Sequence, residues 1–336
     1  MKLLSIILIL ASSGTAFALQ CGDSVSGNVT LNADLVCVNQ SGLTVSADNT
    51  FIHLNGHSIV CTGAGFAGSC QDPVGGPILG LPVGIFSNNH DHVVVEGPGI
   101  IGGFGFGVEL EGGKGLSVHQ VSISGPAVPL IQNQRGTAVG IFMRNIACRD
   151  NSPFAPEHGT SATVYANTVQ NQVTGILLAF ANCVEVYGNH TLNNNGAGGN
   201  GHGIAITGGG HNSIYRNTVT GNGLNRMFDA GIYLTYDVMN NTIEPTTHNI
   251  VFSNVVNNNC GDGIEIGSNG NNNNVFANTA KFNGIGSNDG RCDLPRTELA
   301  FYDLAQIGGM GNIWNPNNLC HTQNAQIPAG VCNPNE

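Results

Sequence analysis

Five residues able to do chemistry fall at matching places in three successive segments: His202, Asp229 with Tyr233, and Asp262 with Glu265. The segments belong to a series of quartets that read Gly, apolar, any residue, then usually apolar. These are GIFS at Gly84, GVEL at Gly107, GIFM at Gly140, GILL at Gly175, GIAI at Gly203, GIYL at Gly231 and GIEI at Gly263. Alternation of this kind predicts a short half-buried strand whose third residue points away from the core. Stacked in register, the third residues make a column: Phe86, Glu109, Phe142, Leu177, Ala205, Tyr233 and Glu265. The residues before each Gly make a second: Val83, Phe106, Val139, Thr174, His202, Ala230 and Asp262, with Asp229 one position further back. Neighbouring coils would set such residues about 5 Å apart, and alternate coils about 10 Å. Carboxyl pairs that act on a glycosidic bond stand about 5–5.5 Å or about 6.5–9.5 Å apart, according to mechanism. Asp229, Asp262, Glu265 and His202 are therefore the candidate catalytic residues. One acid would keep its proton for the leaving oxygen while another activates water. Tyr233 and Phe228 offer a stacking surface for a sugar, and Arg226 lies near enough to the same edge to meet substrate. Alternatively, Arg216 and Arg226 are plain surface charge, and the acids are a solvated face or a Ca²⁺ site. Ca²⁺ is the one cofactor this pattern admits.

Other patterns carry less. His53 and His57 flank a Gly turn, His90 and His92 alternate along one strand, and with His119 they could hold copper or zinc. Four residues across a turn do not readily converge, however, and His suits an outward strand face. No G-x-S-x-G motif and no P-loop occur. Gly103–Gly107 is Gly-rich but stands between strands, which does not make a dinucleotide site. Asn28, Asn39, Asn189 and Asn240 begin N-x-S/T sequons.

The elements that must hold the candidate residues in place repeat too. VYANTV at Val164–Val169 contains the kernel aromatic–any–Asn, which returns at Tyr187, Tyr215, Phe252 and Phe276. Eight to sixteen residues after each kernel comes Gly-Ile, ending with Gly284-Ile285. The kernel predicts a second strand and its bend, and Asn/Gly-rich tracts such as 193–203 and 267–274 predict a third connection. Three short strands in a period above twenty residues, with no helical pattern, are a solenoid signature. An Asn at the same bend of every coil could bond the Asn above and below, and each aromatic could stack on its counterpart. Loops longer than the minimum coil would bulge at one corner, where binding function sits.

With these motifs in view, the chain resembles the right-handed parallel β-helix (pectate-lyase-like) superfamily, in its branch of carbohydrate-binding and sugar-hydrolase repeats. Phe51-Ile52-His53-Leu54-Asn55-Gly56-His57 is similar to a coil common in that branch. Cys21-Gly22-Asp23, Ala33–Cys37 and Gly42–Val45 fit its beginning, and Gly311–Trp314 with Cys320 and Cys332 a closing segment. The resemblance implies an all-β right-handed parallel β-helix, three short strands per coil, with disulfide-stapled ends. The expected organisation is a signal peptide over 1–18, the β-helix over 19–315 and a disulfide-closed tail over 316–336. The resemblance covers about residues 21–332 and is specific for fold, not activity. Gly201-His202-Gly203 matches three residues of polygalacturonases, but their Asn-Thr-Asp, Asp-Asp and Arg-Ile-Lys partners are missing. No Lys or Arg lies in a pectate-lyase motif. A β-helix accessory family of nitrous oxide reductase maturation gives the histidine–metal reading its context.

Bulk composition narrows the partners. Lys and Arg number 10 against 21 Asp and Glu, for a net charge of −11. Nucleic acid, which demands clustered cations, is excluded, and a strongly anionic glycan would be repelled. Gly is 49 of 336 residues and charged residues are 9%, which favours short strands and tight turns over helices. Lys2, the apolar run 3–10 and Ala16-Phe17-Ala18 read as a cleavable export signal, and no later run is long enough to span a bilayer. Ten Cys in an exported chain point to disulfides. The simplest pairing is Cys21–Cys37, Cys61–Cys70, Cys148–Cys183, Cys260–Cys292 and Cys320–Cys332. The expected protein is a secreted or periplasmic monomer that binds, and by its acids could cleave, a neutral or weakly acidic polysaccharide. A non-catalytic scaffold and a periplasmic copper accessory protein are the alternatives.

Overall fold

The structure is a computed structural model describing residues 18–63, 82–125, 138–148, 159–194, 201–223, 229–239, 241–284 and 301–333. Phe228, Arg226, Cys70, Cys292 and nearly all of the expected signal peptide lie outside these residues. The described chain is built of strands and turns with no helix. No helix among the described residues is therefore long and apolar enough to cross a membrane.

The chain winds as a right-handed parallel β-helix with three faces. The Gly–apolar quartets form the first face, a ten-stranded parallel sheet from Ser24–Val25 to Leu304–Gln306. Ile176, Ile204, Ile232 and Ile264 are direct register partners along it. Strands such as Ala162–Tyr165, Val184–Tyr187 and Ser213–Tyr215 make the second face. Thr168–Gln170, His190–Leu192 and Thr218–Thr220 belong to the third. One hairpin departs from the stack, pairing Asp237–Met239 with Thr242–Glu244 antiparallel. Most coils bury Ile, Val or Leu from all three faces, with Thr191 and Ala280 taking that place on two third-face strands, so the core is a continuous column with most of its members fully buried.

The glycine of the quartet has a steric reason rather than a conformational one. At Gly203 an added Cβ would stand 2.4 Å from Val219 Cγ1 and 2.8 Å from the Gly231 carbonyl. Gly and the following Ile thus both turn inward, and the residues on either side of that pair turn outward. This is why two columns, not one, line the outside of the first face.

Asn ladders hold the corners. At the corner from the second to the third face, Asn167, Asn189, Asn217, Asn254, Asn278 and Asn318 are buried, and each passes an Nδ2–H to the Oδ1 of the next at 3.0–3.1 Å. The left-handed residue is the one before each Asn but the last: Ala166, Gly188, Arg216, Ser253 and Ala277 have φ of 53–61°. The aromatic partners stack as expected, His119 on Tyr165, then Tyr187, Tyr215, Phe252 and Phe276, with centroids 4.6–5.2 Å apart. Two further ladders occupy the other corners. One runs Asn194, Asn222, Asn259, Asn283 and ends on Asp303. The other runs Asn212, Asn249, Asn273 and Asn312.

Disulfides join Cys21–Cys37, Cys148–Cys183 and Cys320–Cys332, as the nearest-neighbour pairing anticipates. Cys61 and Cys260 are disulfide-bonded too; the partners expected for them lie outside the described residues. The disulfides fit an exported protein.

Candidate glycan groove and acid cluster

The first face carries the candidate residues in the expected register. His202 pairs with Ala230 and Ala230 with Asp262, while Ala205 pairs with Tyr233 and Tyr233 with Glu265. Their environment differs from the solvated edge that alternation suggests. Asp229 and Glu265 are 1% exposed, and His202 and Asp262 are 5% exposed. The outer side of this sheet is covered in its earlier coils too, where Val83, Phe106, Val139, Phe142 and Ala179 form an apolar cluster separate from the main core. Strand alternation reports which side a residue takes, not what packs over that side.

Backbone amides fix the acids. Gly201 N–H donates to Asp229 Oδ1 at 2.8 Å, and Tyr302 N–H donates to Asp262 Oδ1. Glu265 is pushed up to about 9, first by burial, then by the Asp262 charge, a hydrogen bond with Asp262 and the charge of Asp229. Its Oε1 is buried without a hydrogen-bond partner. Glu265 therefore holds its proton at neutral pH. Asp262 and Glu265 stand three residues apart on one strand, and Asp229 belongs to the preceding coil.

His202 is neutral, lowered to about 4 by burial. Its Nδ1 accepts the Ala230 N–H at 3.2 Å, which leaves the ring proton on Nε2. The ring stacks on Tyr233 at 4.7 Å. Tyr233 is pushed up to about 12 by burial and by Glu265. It remains a phenol that can donate.

A groove of about 690 Å³ lies over the first face. Phe106, Phe142, Leu177, Ala205 and Tyr233 mark five successive coils of it, His202 joins the lining, and Phe180, Tyr236 and Asp237 stand beside them. The groove is displaced toward earlier coils than the sequence indicates. His202 and Tyr233 line it, whereas Asp229, Asp262 and Glu265 adjoin its end behind Tyr233. Sequence reading missed Arg144, Phe180 and the hairpin, none of which shares a repeated motif with the acids. Arg144 is the lining cation, and it faces Glu111 at 3.8 Å.

The histidines do not gather. His53 Nδ1 sits 2.6 Å from Glu96, His57 3.5 Å from Asp34 and His90 3.4 Å from Asp48. Only His53 and His119 share a column, with Glu96 between them. Among the described residues no group of three or more His, Cys, Asp or Glu side chains converges as a metal site.

No known family model matches the sequence, and no curated protein matches it. Solved structures do. The Dettilon tailspike protein superposes with a TM-score of 0.51 at 13% identity, over 90% of this chain and 62% of the tailspike. A DFA-IIIase from Arthrobacter chlorophenolicus A6 gives 0.49 at 14% identity, over 90% and 64%. An alginate lyase from Paenibacillus sp. str. FPU-7 gives 0.46 at 12% identity, over 89% and 99%. The chain spans less than two thirds of the first two. At these identities the likeness is one of architecture. Fold and register together define a right-handed parallel β-helix. In this chain the buried acids Asp229, Asp262 and Glu265 lie at the end of an aromatic first-face groove.

Proposed function

We propose that the protein is an exported carbohydrate-active β-helix that binds a neutral glycan along the first-face groove and cleaves it at the Tyr233 end. The observation that carries this reading is Glu265: a protonated carboxyl with an orphan oxygen, held beside Asp262, one coil from a groove walled by aromatic rings. Aromatic walls with a few polar groups are the usual make-up of a small-ligand or sugar site. Glu265 supplies the proton to the leaving oxygen. Asp262 keeps Glu265 protonated, and Asp229 is the carboxylate that activates water. The Nε2–H of His202 and the Tyr233 hydroxyl orient sugar hydroxyls. Among the described residues the cation lining the groove, Arg144, faces Glu111, and the net charge of −11 favours a neutral chain.

The test is a panel of neutral polysaccharides assayed for new reducing ends. Glu265→Gln should lower turnover roughly 10²–10⁴-fold while leaving binding in place. Tyr233→Ala should weaken binding itself. Turnover unchanged in Glu265→Gln removes the acid assignment. The near-complete burial of the three acids favours a second reading, in which the groove binds without cleaving; binding sensitive to Tyr233→Ala with no reducing ends in any arm would select it.

A further inference from the structure

Two cavities meet at one side chain. Beside the first-face groove, a second cavity of about 470 Å³ lies at the corner where the first-face strands end. Phe180 lines both. The hairpin serves both as well: Asp237 and Val238 face the groove, Met239 and Glu244 the corner cavity. Each volume lies within the range of about 300–1,000 Å³ usual for ligand sites. Asn145, Asn182, Glu244 and Thr247 give the corner cavity polar groups suited to hydroxyls.

Phe180 is out of keeping with its place in the coil. Its N–H donates to the Thr207 carbonyl of the next coil. Asn89, Gly112, Asn145 and Gly208 make the same corner step in other coils. All five positions are left-handed, with φ of 53–68°. Four carry Asn or Gly, which tolerate that conformation; a bulky aromatic is disfavoured there. The neighbouring coil makes room for the ring, since a Cβ on Gly208 would stand 3.1 Å from Phe180 Cδ1. Other left-handed corners carry residues such as Phe282 and Arg216; what sets Phe180 apart is that its side chain faces both cavities.

The layout says which role. The groove runs from coil to coil along the axis, from Phe106 to Tyr233, and Phe180 belongs to the middle coil of that run, the coil of Leu177. The corner cavity leaves sideways at this midpoint. A linear chain turning the corner would abandon half of the groove; a chain carrying a side branch fills both. We propose that the protein recognises a branched neutral glycan, its main chain along the first face and its branch passing Phe180 into the corner cavity beneath the hairpin. This rests on the glycan reading above and names its substrate class.

The experiment compares matched linear and branched neutral oligosaccharides by calorimetry: mannohexaose and its galactosylated form, xylohexaose and its arabinosylated form, cellohexaose and its xylosylated form. One branched member should bind about tenfold more tightly than its linear partner. Ala147→Trp, which fills the corner cavity from an exposed position that does not line the groove, should abolish the preference and leave linear binding unchanged. Equal affinities in the unmodified protein, or a preference that survives Ala147→Trp, overturn the proposal. If linear chains bind and Tyr233→Ala weakens them, yet no branch is preferred, the glycan reading stands and the branch assignment falls. Binding of none of the probes removes both.

Discussion

Glu109 and Glu265 occupy the same outward column of the first face, and each has buried carboxyl oxygen without a hydrogen-bond partner. Glu109 is pushed up to about 7, chiefly by burial and then by Glu111, with Arg144 opposing. Both acids bind a proton more tightly folded than unfolded. Their contribution to stability is therefore complete below the ordinary value of 4.5 and is lost as pH rises through about 7 for Glu109 and about 9 for Glu265. His202 works in reverse: its contribution is present above 6.5 and is lost as pH falls through about 4. Glu109→Gln should thus change thermal stability little near pH 4.5, raise the melting temperature increasingly from there to about pH 7, and hold that gain above it, because the buried charge no longer forms. Melting curves of the variant and the unmodified protein across that range decide the matter; a difference independent of pH would show that Glu109 is not neutral in the fold. The column containing both acids was legible from quartet spacing alone. Their burial was not, since it depends on what covers the sheet, and no local pattern encodes that.

Between residue and molecule stand the ladders. Asn217 shows how much one side chain carries. Its Oδ1 accepts from both the backbone N–H and Nδ2–H of Asn189, and its Nδ2 donates to the Val186 carbonyl and to Asn254. All these groups are buried, and each left unsatisfied costs about 1–3 kcal/mol. Asn217→Ala should therefore destabilise by at least about 3 kcal/mol, far beyond an exposed Asn substitution. Urea denaturation measures this; a loss below 1 kcal/mol, an ordinary surface value, would mean water replaces the missing amide. The first ladder was readable because an aromatic two residues earlier marks each Asn. The other two follow residues as varied as Asn193, Gly221, Asn258 and Phe282, or His211, His248 and Asn272, so no motif announces them. Stacking fixes the left-handed corner in each coil, and that lets the residue type there drift. The same freedom hid Phe180, because a rule that assigns left-handed corners to Gly and Asn passes over a phenylalanine.

A solenoid in which each coil touches chiefly its neighbours has stability that is nearly a sum over coils and interfaces. Within it the three described disulfides act differently. Cys21–Cys37 and Cys320–Cys332 close loops of 16 and 12 residues near the two ends of the stack, whereas Cys148–Cys183 closes 35 residues and ties one coil to the next. Loop-closure entropy gives the middle bridge about 4 kcal/mol and the end bridges about 3 kcal/mol each. The end bridges have a further task, since a terminal coil lacks a neighbour on one side and frays first. Removing Cys320 and Cys332 together should accelerate amide exchange in Leu304–Gln306 and Ile313–Trp314 while the Ile176–Ile264 ladder stays protected. Removing Cys148 and Cys183 should lower the global transition without selective fraying at the end. Hydrogen exchange on both double Cys→Ser variants separates the cases. Uniform loss of protection in the C-terminal variant would mean that the coils unfold as one block, and that the cap sets the stability of the whole helix rather than of its last turns.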